Sequence, residues 1–434
     1  MPHRRRRGRR RRRRRRDDPP RRGHQRGGRR PRRRGRRPVT AANETAPATS
    51  DAVSPPAGAG PTWPGAGASG RWIVGDAIDG IRRLAAEGVT VDLVLTSPPF
   101  LGLRSYIPGS DPREIGRETS PAEFVTRILD VVAAAADILA PTGTIAVELG
   151  DTYSGSGGAG GDYDTDGLFA GRPHWKQRRG DDPDAWPLPK SLAMVPELVR
   201  VALAYGVHPL TGEPSPAGRW RVRNVVRWVR PNPVPRALGD KFKPATSDML
   251  IATRAADRWW DDIPVRDPAT GTAMTDAMIV APEGHRDHPA AWPPKLIAPI
   301  VVAACPRHVC RICGTPSRRI VERVRRDRRT GEPVTVDMNS RCGDPTGRYS
   351  TGFDVEVERR TVGWSTCEHS DDLADPDVWR PGIVLDPFAG SGTTVAVAVG
   401  NARAGVGIDL DPRNEAHAAD RLGMFLVDTV RLDP

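Results

Sequence analysis

The sequence predicts an open α/β fold, a largely parallel sheet with helices on both faces, and three stretches carry that expectation. The first is Gly382 to Thr394, G-I-V-L-D-P-F-A-G-S-G-T-T. Ile383, Val384 and Leu385 form a short apolar run suited to a buried parallel strand. Asp386-Pro387 ends it, and Gly390 and Gly392 permit a tight turn with close backbone approach. Thr393-Thr394 then open a helical run over 395–399. A strand, a glycine turn and a helix N-terminus make a nucleotide-sized cradle. The second stretch, Ala404 to Ile408, is another strand. It ends in Asp409, 23 residues beyond Asp386 and near the roughly 20-residue interval at which an acidic side chain meets a ribose hydroxyl. The third is Val91 to Phe100, V-D-L-V-L-T-S-P-P-F, an apolar strand running into Ser97-Pro98-Pro99-Phe100.

At these residues the chain resembles the amino-methylating DNA methyltransferases. Their catalytic tetrapeptide is Asp/Asn/Ser-Pro-Pro-aromatic and their cofactor loop is similar to D-P-F-A-G-S-G-T-T. The resemblance implies a Rossmann-like methyltransferase sheet, S-adenosyl-L-methionine as cofactor and double-stranded DNA as partner. It assigns catalysis to Ser97, Pro98, Pro99 and Phe100, and cofactor contacts to Asp386, Pro387, Phe388, Gly390, Gly392, Thr393, Thr394 and Asp409. The catalytic motif precedes the cofactor loop, the order of the family's β group. Serine at position 97 points, within the family, to cytosine N4. Adenine N6 stays open, and so does a DNA-binding module that has lost catalysis. There is no Pro-Cys catalytic pair of the kind used in carbon-5 methylation. The resemblance also implies a cytoplasmic, nucleoid-associated enzyme of bacterial or phage origin. A cognate restriction endonuclease and a monomeric or dimeric state are left open.

Composition narrows the partners. At 434 residues with 38% hydrophobic content the chain can bury a real core over two or three domains. No apolar run approaches the roughly 18 residues that span a bilayer, so no membrane partner is expected. No apolar segment follows the N-terminal charges, which excludes a signal peptide. Five cysteines fit a reducing compartment better than a disulfide framework. The net charge of +13 is unevenly spread: residues 1–38 hold 22 arginines and two aspartates, +20 in all, which leaves −7 for the remainder. Any DNA-binding surface on the body is therefore a local patch.

In chain order, residues 1–38 are a disordered arginine-rich tail. It is either a sequence-blind phosphate tether or a segment without a role, such as a translated upstream region. Residues 39–70 read as a Pro/Gly/Ala-rich linker. Residues 71–306 form the catalytic half, with a strand at Trp72 to Val74 and a short helix through Ile78, Ile81 and Leu84. By resemblance Asp76 lies near the cofactor's adenine; a helix-capping aspartate is the alternative. Ser120-Pro121-Ala122-Glu123 is a capping box opening an amphipathic helix, and Pro141-Thr142-Gly143 turns the chain into the strand Thr144 to Leu149. Residues 154–190 form a long loop and 208–245 a second DNA-facing region. There Arg219, Arg221 and Arg223 share a strand face, either merely solvated or in contact with phosphates. Asn232 and Lys241 fall in a segment similar to the family's K-x-N-x-x-P…D-R-F, with Arg230 in place of the usual lysine. His288, Pro289, Trp292 and Pro293 belong to a stretch similar to H-P-A-x-F-P, which contacts the methionine end of the cofactor. A helix over 296–304 follows.

Residues 307–380 form a Cys-rich insertion ahead of the cofactor-binding half, 381–434. Cys310-x-x-Cys313-Gly314 has zinc-knuckle spacing and offers two thiolates to one tetrahedral ion. Relatives with this insertion resemble C-x-x-C-G…C-x-C, which implies Cys367 and His369 as the second pair, with Cys342 competing for the last place. Such a closed set would hold a structural zinc.

Overall fold

The computed structural model describes residues 67–103, 106–107, 111–155, 183–233, 241–283, 292–327, 330–333 and 355–432. The expected tail, nearly all of the linker, most of the 154–190 loop, His288, Pro289 and Cys342 lie outside the described residues.

The chain enters the sheet with β1 (Gly70–Val74), crosses through α1 (Ala77–Ala86) to β2 (Val91–Thr96), and through α2 (Pro121–Ile138) to β3 (Leu139–Leu149). Helix α3 (Val195–Tyr205) leads to β4 (Arg221–Val229), β5 (Thr246–Thr253) and the short β6 (Ala277–Ile279). After α4 (Pro294–Ala304) come β7 (Val309–Cys310), β8 (Arg319–Asp327), β9 (Val355–Trp364) and β10 (Trp379–Arg380). The chain closes with β11 (Ile383–Asp386), α5 (Thr393–Gly400), β12 (Ala404–Asp409), α6 (Asn414–Leu422) and β13 (Leu426–Arg431). Among the described residues nine strands form one sheet, ordered β13-β1-β12-β11-β2-β3-β5-β4-β6. Only β5 runs against its neighbours.

Helices α1, α2 and α3 pack on one face, and α4, α5 and α6 on the other. That is why β2 and β11 are mostly apolar and buried throughout. Ser120 caps α2 by accepting from the Glu123 amide (3.2 Å), while the Glu123 carboxylate reaches Thr119 rather than Ser120. Gly405 and Gly407 in β12 are needed for close approach. A Cβ on Gly405 would lie 2.9 Å from Val395, and one on Gly407 2.5 Å from the Trp72 ring. Strand β3 begins earlier than expected, at Leu139. Val91 pairs with Leu139 but Leu93 with Thr144, so the Pro141-Thr142-Gly143 turn is absorbed as a register shift.

Beyond α4, β7 pairs with β10, and β8 pairs with β9 as a two-stranded ribbon. The ribbon's base is fastened to the segment after β5: Trp259 Nε1 donates to the Ser317 carbonyl (2.9 Å) and Arg319 pairs with Asp261 (2.9 Å). The chain re-enters the sheet where Asp92 accepts from both Arg380 (2.7 Å) and the Ile383 amide (2.8 Å). This buried ion pair has each charge hydrogen-bonded, the condition under which burial is tolerated.

Candidate active site

The sheet reverses its winding between β11 and β2. From β11 the chain passes through α5 to β12 on one side; from β2 it passes through α2 to β3 on the other. Ligands of open α/β sheets lie beyond the strands' C-terminal ends at such a point. Both sequence motifs end there, since Val384 pairs with Leu93 and Leu385 with Val94.

A single carboxylate ties the motifs together. Asp386 accepts from Thr96 Oγ1 (2.6 Å), Thr394 Oγ1 (2.5 Å) and the Phe388 amide (3.1 Å). Thr96 immediately precedes Ser97, and Thr394 lies in the first turn of α5, so one buried side chain joins the proline turn to the glycine turn. Burial pushes the Asp386 pKa up to about 6, against the pull of the Thr394 and Thr96 hydroxyls.

Gly390 (φ 54°) and Gly392 (φ 76°) are left-handed, so the turn demands glycine at both. Asp409 holds this turn: it accepts from the Gly390 amide (2.7 Å), the Asp411 amide (2.9 Å) and Asn414 Nδ2 (2.9 Å). Its carboxyl is also raised to about 6 by desolvation. Thr393 accepts from Arg421. Within the turn, Ser391 Oγ is buried with no partner among the described residues. Leaving such an atom unpaired costs about 1–3 kcal/mol, which a bound polar ligand would recover. Pro387 and Phe388 line a small apolar cavity with Pro98 beneath α2. Asp76, on the same edge, caps α1 through the Ile78 (2.8 Å) and Asp79 (3.3 Å) amides. Trp292 is buried among Trp228, Met278 and Leu296, and Pro293 is the N-cap residue of α4.

Ser97 has a partner that motif spacing did not reveal. Its Oγ donates to Glu148 Oε2 (2.5 Å), and Glu148 is buried in β3. Burial raises the Glu148 pKa, opposed by the Ser247 and Ser97 hydroxyls and by the Arg230 charge. Arg230 donates to Ser247 Oγ (3.0 Å) and lies 4.9 Å from the Trp228 ring. Arg230, the residue after β4, and Ser247 in β5 thus back the site. The Phe100 ring lies against Gly150, where a Cβ would sit 2.4 Å from it, and Pro99 packs on Gly116.

Two DNA-facing expectations separate here. Asn232 is exposed just past the end of β4 at the catalytic edge. Lys241 lies there too, its Nζ 3.4 Å from the ring centroid of Tyr153, shortly after β3. Arg219, Arg221 and Arg223, expected beside the site, are at the other end of the sheet. Val229 pairs with Thr246 and Arg221 with Thr253, so Arg221 begins roughly 25 Å from the catalytic edge. A register shift between Val222 and Asn224 also breaks their common face. Arg221 donates to the Arg254 carbonyl, Arg223 to that of Ala256 (3.0 Å), and Arg219 packs its stem on Gly206. Alternation fixes which face a side chain takes, not which end of the strand meets the substrate.

Cys310, Cys313, Cys367 and His369 converge, with ligand atoms all within 4.8 Å of one another. His369 Nδ1 is 3.7 Å from Cys310 Sγ and 3.6 Å from Cys367 Sγ. Tetrahedral zinc, with Zn–S of about 2.3 Å and Zn–N of about 2.0–2.1 Å, places sulfur and nitrogen about 3.6 Å apart. The donor set fits such an ion.

A family model for DNA methylases of the N6/N4 type matches residues 91–420. The type II methyltransferase M.XycI of Xanthomonas campestris pv. cyanopsidis is 25% identical over 355 residues, covering 80% of this chain and 86% of that protein. M.Cfr9I of Citrobacter freundii, also a type II methyltransferase, is 27% identical over 237 residues, 53% of this chain and 71% of that one. Among solved structures, the cytosine-N4-specific PvuII DNA methyltransferase aligns with 85% of this chain and 96% of its own, at 13% identity and a TM-score of 0.45. The M1.HpyAVI–SAM complex aligns with 82% and 100%, at 14% identity and a TM-score of 0.40. The family match runs from the first residue of β2 into α6 and takes in both motifs, and the chain therefore belongs to the N6/N4 DNA methylase family.

Proposed function

We propose that this DNA methyltransferase methylates the N4 amine of a cytosine turned out of duplex DNA, using S-adenosylmethionine. The observation that carries the reading is the Ser97–Glu148 hydrogen bond (2.5 Å) at the end of β2. An exocyclic amine is a poor nucleophile because its lone pair is delocalised into the ring. Acceptors that grip its N–H groups draw the nitrogen toward tetrahedral geometry. The Ser97 hydrogen is committed to Glu148, so its oxygen lone pairs are left for the amine. The Pro98 carbonyl is the second acceptor, on a turn stiffened by two prolines that offer no N–H of their own. As the new N–C bond forms, the amine proton passes to Ser97 Oγ while Ser97 hands its own to Glu148, whose raised pKa suits it to hold one. Phe100 would stack on the displaced base. Bound S-adenosylmethionine would supply an electrophilic methyl on a sulfonium, the electron pair of the broken S–C bond leaving on the neutral thioether. The Phe388 to Thr394 turn would hold it, with Ser391 Oγ, Asp409 and Asp76 on the same edge. Serine rather than aspartate at position 97 favours cytosine. Transfer of tritiated methyl to DNA followed by nucleoside chromatography tests this: label is expected in N4-methylcytosine, and label in N6-methyladenine overturns the base assignment.

Two further outcomes are expected. Glu148→Gln keeps a polar partner for Ser97 but removes the proton acceptor. It should lower kcat by about 10²-fold, and single-turnover rates as a function of pH check this. Asp386 and Asp409 accept hydrogen bonds from every side, so protonation below pH 6 should loosen the glycine turn. S-adenosylmethionine affinity, followed by calorimetry, is expected to weaken as pH falls through 6. Stability runs the other way. Both groups hold a proton more tightly folded than unfolded, so between about pH 4 and 6 their contribution falls as pH rises.

We also propose that the Cys310, Cys313, Cys367 and His369 set holds a structural zinc. Four protein ligands leave no open position for catalysis.

A further inference from the structure

A base that leaves the stack forfeits its pairing and stacking and opens a gap in the helix. The Ser97 to Phe100 turn provides for the base, not for the gap. The connection from β4 to β5 offers a side chain for it. Strand β5 runs antiparallel to both β3 and β4, so this connection leaves and re-enters the sheet at the edge where β2 and β3 end. The Arg230 amide donates to the Ala245 carbonyl (2.8 Å) and closes its neck. Near the end of the connection, Lys241 Nζ lies 3.4 Å from the ring centroid of Tyr153. Tyr153 follows by three residues Gly150, on which the Phe100 ring packs. Three extended residues span at most about 11 Å, less than the ~12 Å width of a major groove. Tyr153 and the residues beside it therefore stand next to the base pocket, facing the same stretch of duplex.

Phe242, next in the chain, is 97% exposed, more than any other large apolar side chain among the described residues. Lys241 and Lys243 flank it, both exposed, and neither meets a carboxylate among the described residues. A ring packed on nothing in its own fold, set between two ammonium groups, matches both attractions of a duplex. Apolar side chains insert between bases, and cations hold the phosphates alongside. We propose that Phe242 enters the duplex at the target step and occupies the gap left by the turned-out base, while Lys241 and Lys243 hold the flanking phosphates. This deepens the proposed function and rests on its reading that the base leaves the helix, not on which base is methylated.

The test compares the full chain with its Phe242→Ala variant on duplexes carrying the methylated site. The first readout is the fluorescence of 2-aminopurine at the target position under saturating protein, which brightens when the probe is unstacked. Wild type should brighten it, and Phe242→Ala should cut the rise at least about threefold. The second is single-turnover methyl transfer. On a paired target Phe242→Ala should be about 10–100-fold slower than wild type. With a mismatched base opposite the target, turning out costs less, and the variant should come within about threefold of wild type. A ring that only supports the fold or the pocket would slow transfer on both duplexes alike, and that result overturns the proposal. Full brightening by Phe242→Ala, or an undiminished rate on the paired target, overturns it as well while leaving the base-extrusion reading intact. A wild type that never brightens the probe overturns both, because the base then stays in the helix.

Discussion

Ser97→Ala is expected to lower kcat by about 10²–10³-fold while leaving S-adenosylmethionine affinity near normal, the scale seen when one preorganised polar group is removed from a reacting centre. The split follows from how the edge is built. The glycine turn is held by Asp386 and Asp409, and neither takes a hydrogen bond from Ser97. Ser97 faces the other way, to Glu148. The substitution also leaves Glu148 Oε2 without that donor inside the fold, at a cost of about 1–3 kcal/mol. Thermal denaturation must therefore accompany the kinetics. A folded Ser97→Ala enzyme within threefold of wild type would show that the hydroxyl is not the acceptor. Calorimetric titration with S-adenosylmethionine supplies the other half of the prediction.

The second large effect is expected at the Cys/His cluster. Wild-type protein should carry about one zinc per chain, and Cys310→Ser should lose it. Cys310 is buried and opens the pair that precedes β8, while Cys367 and His369 follow β9. One ion held there would close the chain around the ribbon's base, and structural zinc in zinc-finger peptides is worth about 10–16 kcal/mol in apparent binding energy. Losing it should leave residues 307–380 sensitive to limited proteolysis while the catalytic sheet, with its own core, persists. Elemental analysis together with proteolysis reads both. A metal-free wild type with a protease-resistant insertion contradicts the assignment.

How much of this was legible in the sequence depended on whether the information was local. The Ser97 to Phe100 turn and the Asp386 to Thr394 loop are contiguous. Their apolar runs, prolines and glycines dictate strand, turn and helix start without help from elsewhere. The four metal-ligand candidates were likewise set by spacing and resemblance, and folding brings them together. The backing of Ser97 was not local. Glu148 and Ser247 come from β3 and β5 and Arg230 from the residue after β4, and only the β3–β5 and β5–β4 registers make them neighbours. One signal was available: a glutamate inside the apolar run Ile145 to Leu149 must find a partner if it is buried. The arginines of β4 failed for the converse reason, because their alternation was real but the direction of the strand was unknown. Asp76 and Asp409 showed that a side chain on the expected edge can be engaged by the fold itself, one capping α1 and the other holding Gly390.

The most direct test is a structure of the enzyme with an unreactive S-adenosylmethionine analogue and a duplex carrying its site, found by sequencing DNA methylated in vivo. The account predicts a cytosine outside the helix, its N4 within about 3.2 Å of Ser97 Oγ and of the Pro98 carbonyl, with Ser97 still donating to Glu148. An amine turned away from Ser97, or a target base held elsewhere on the sheet edge, would contradict it.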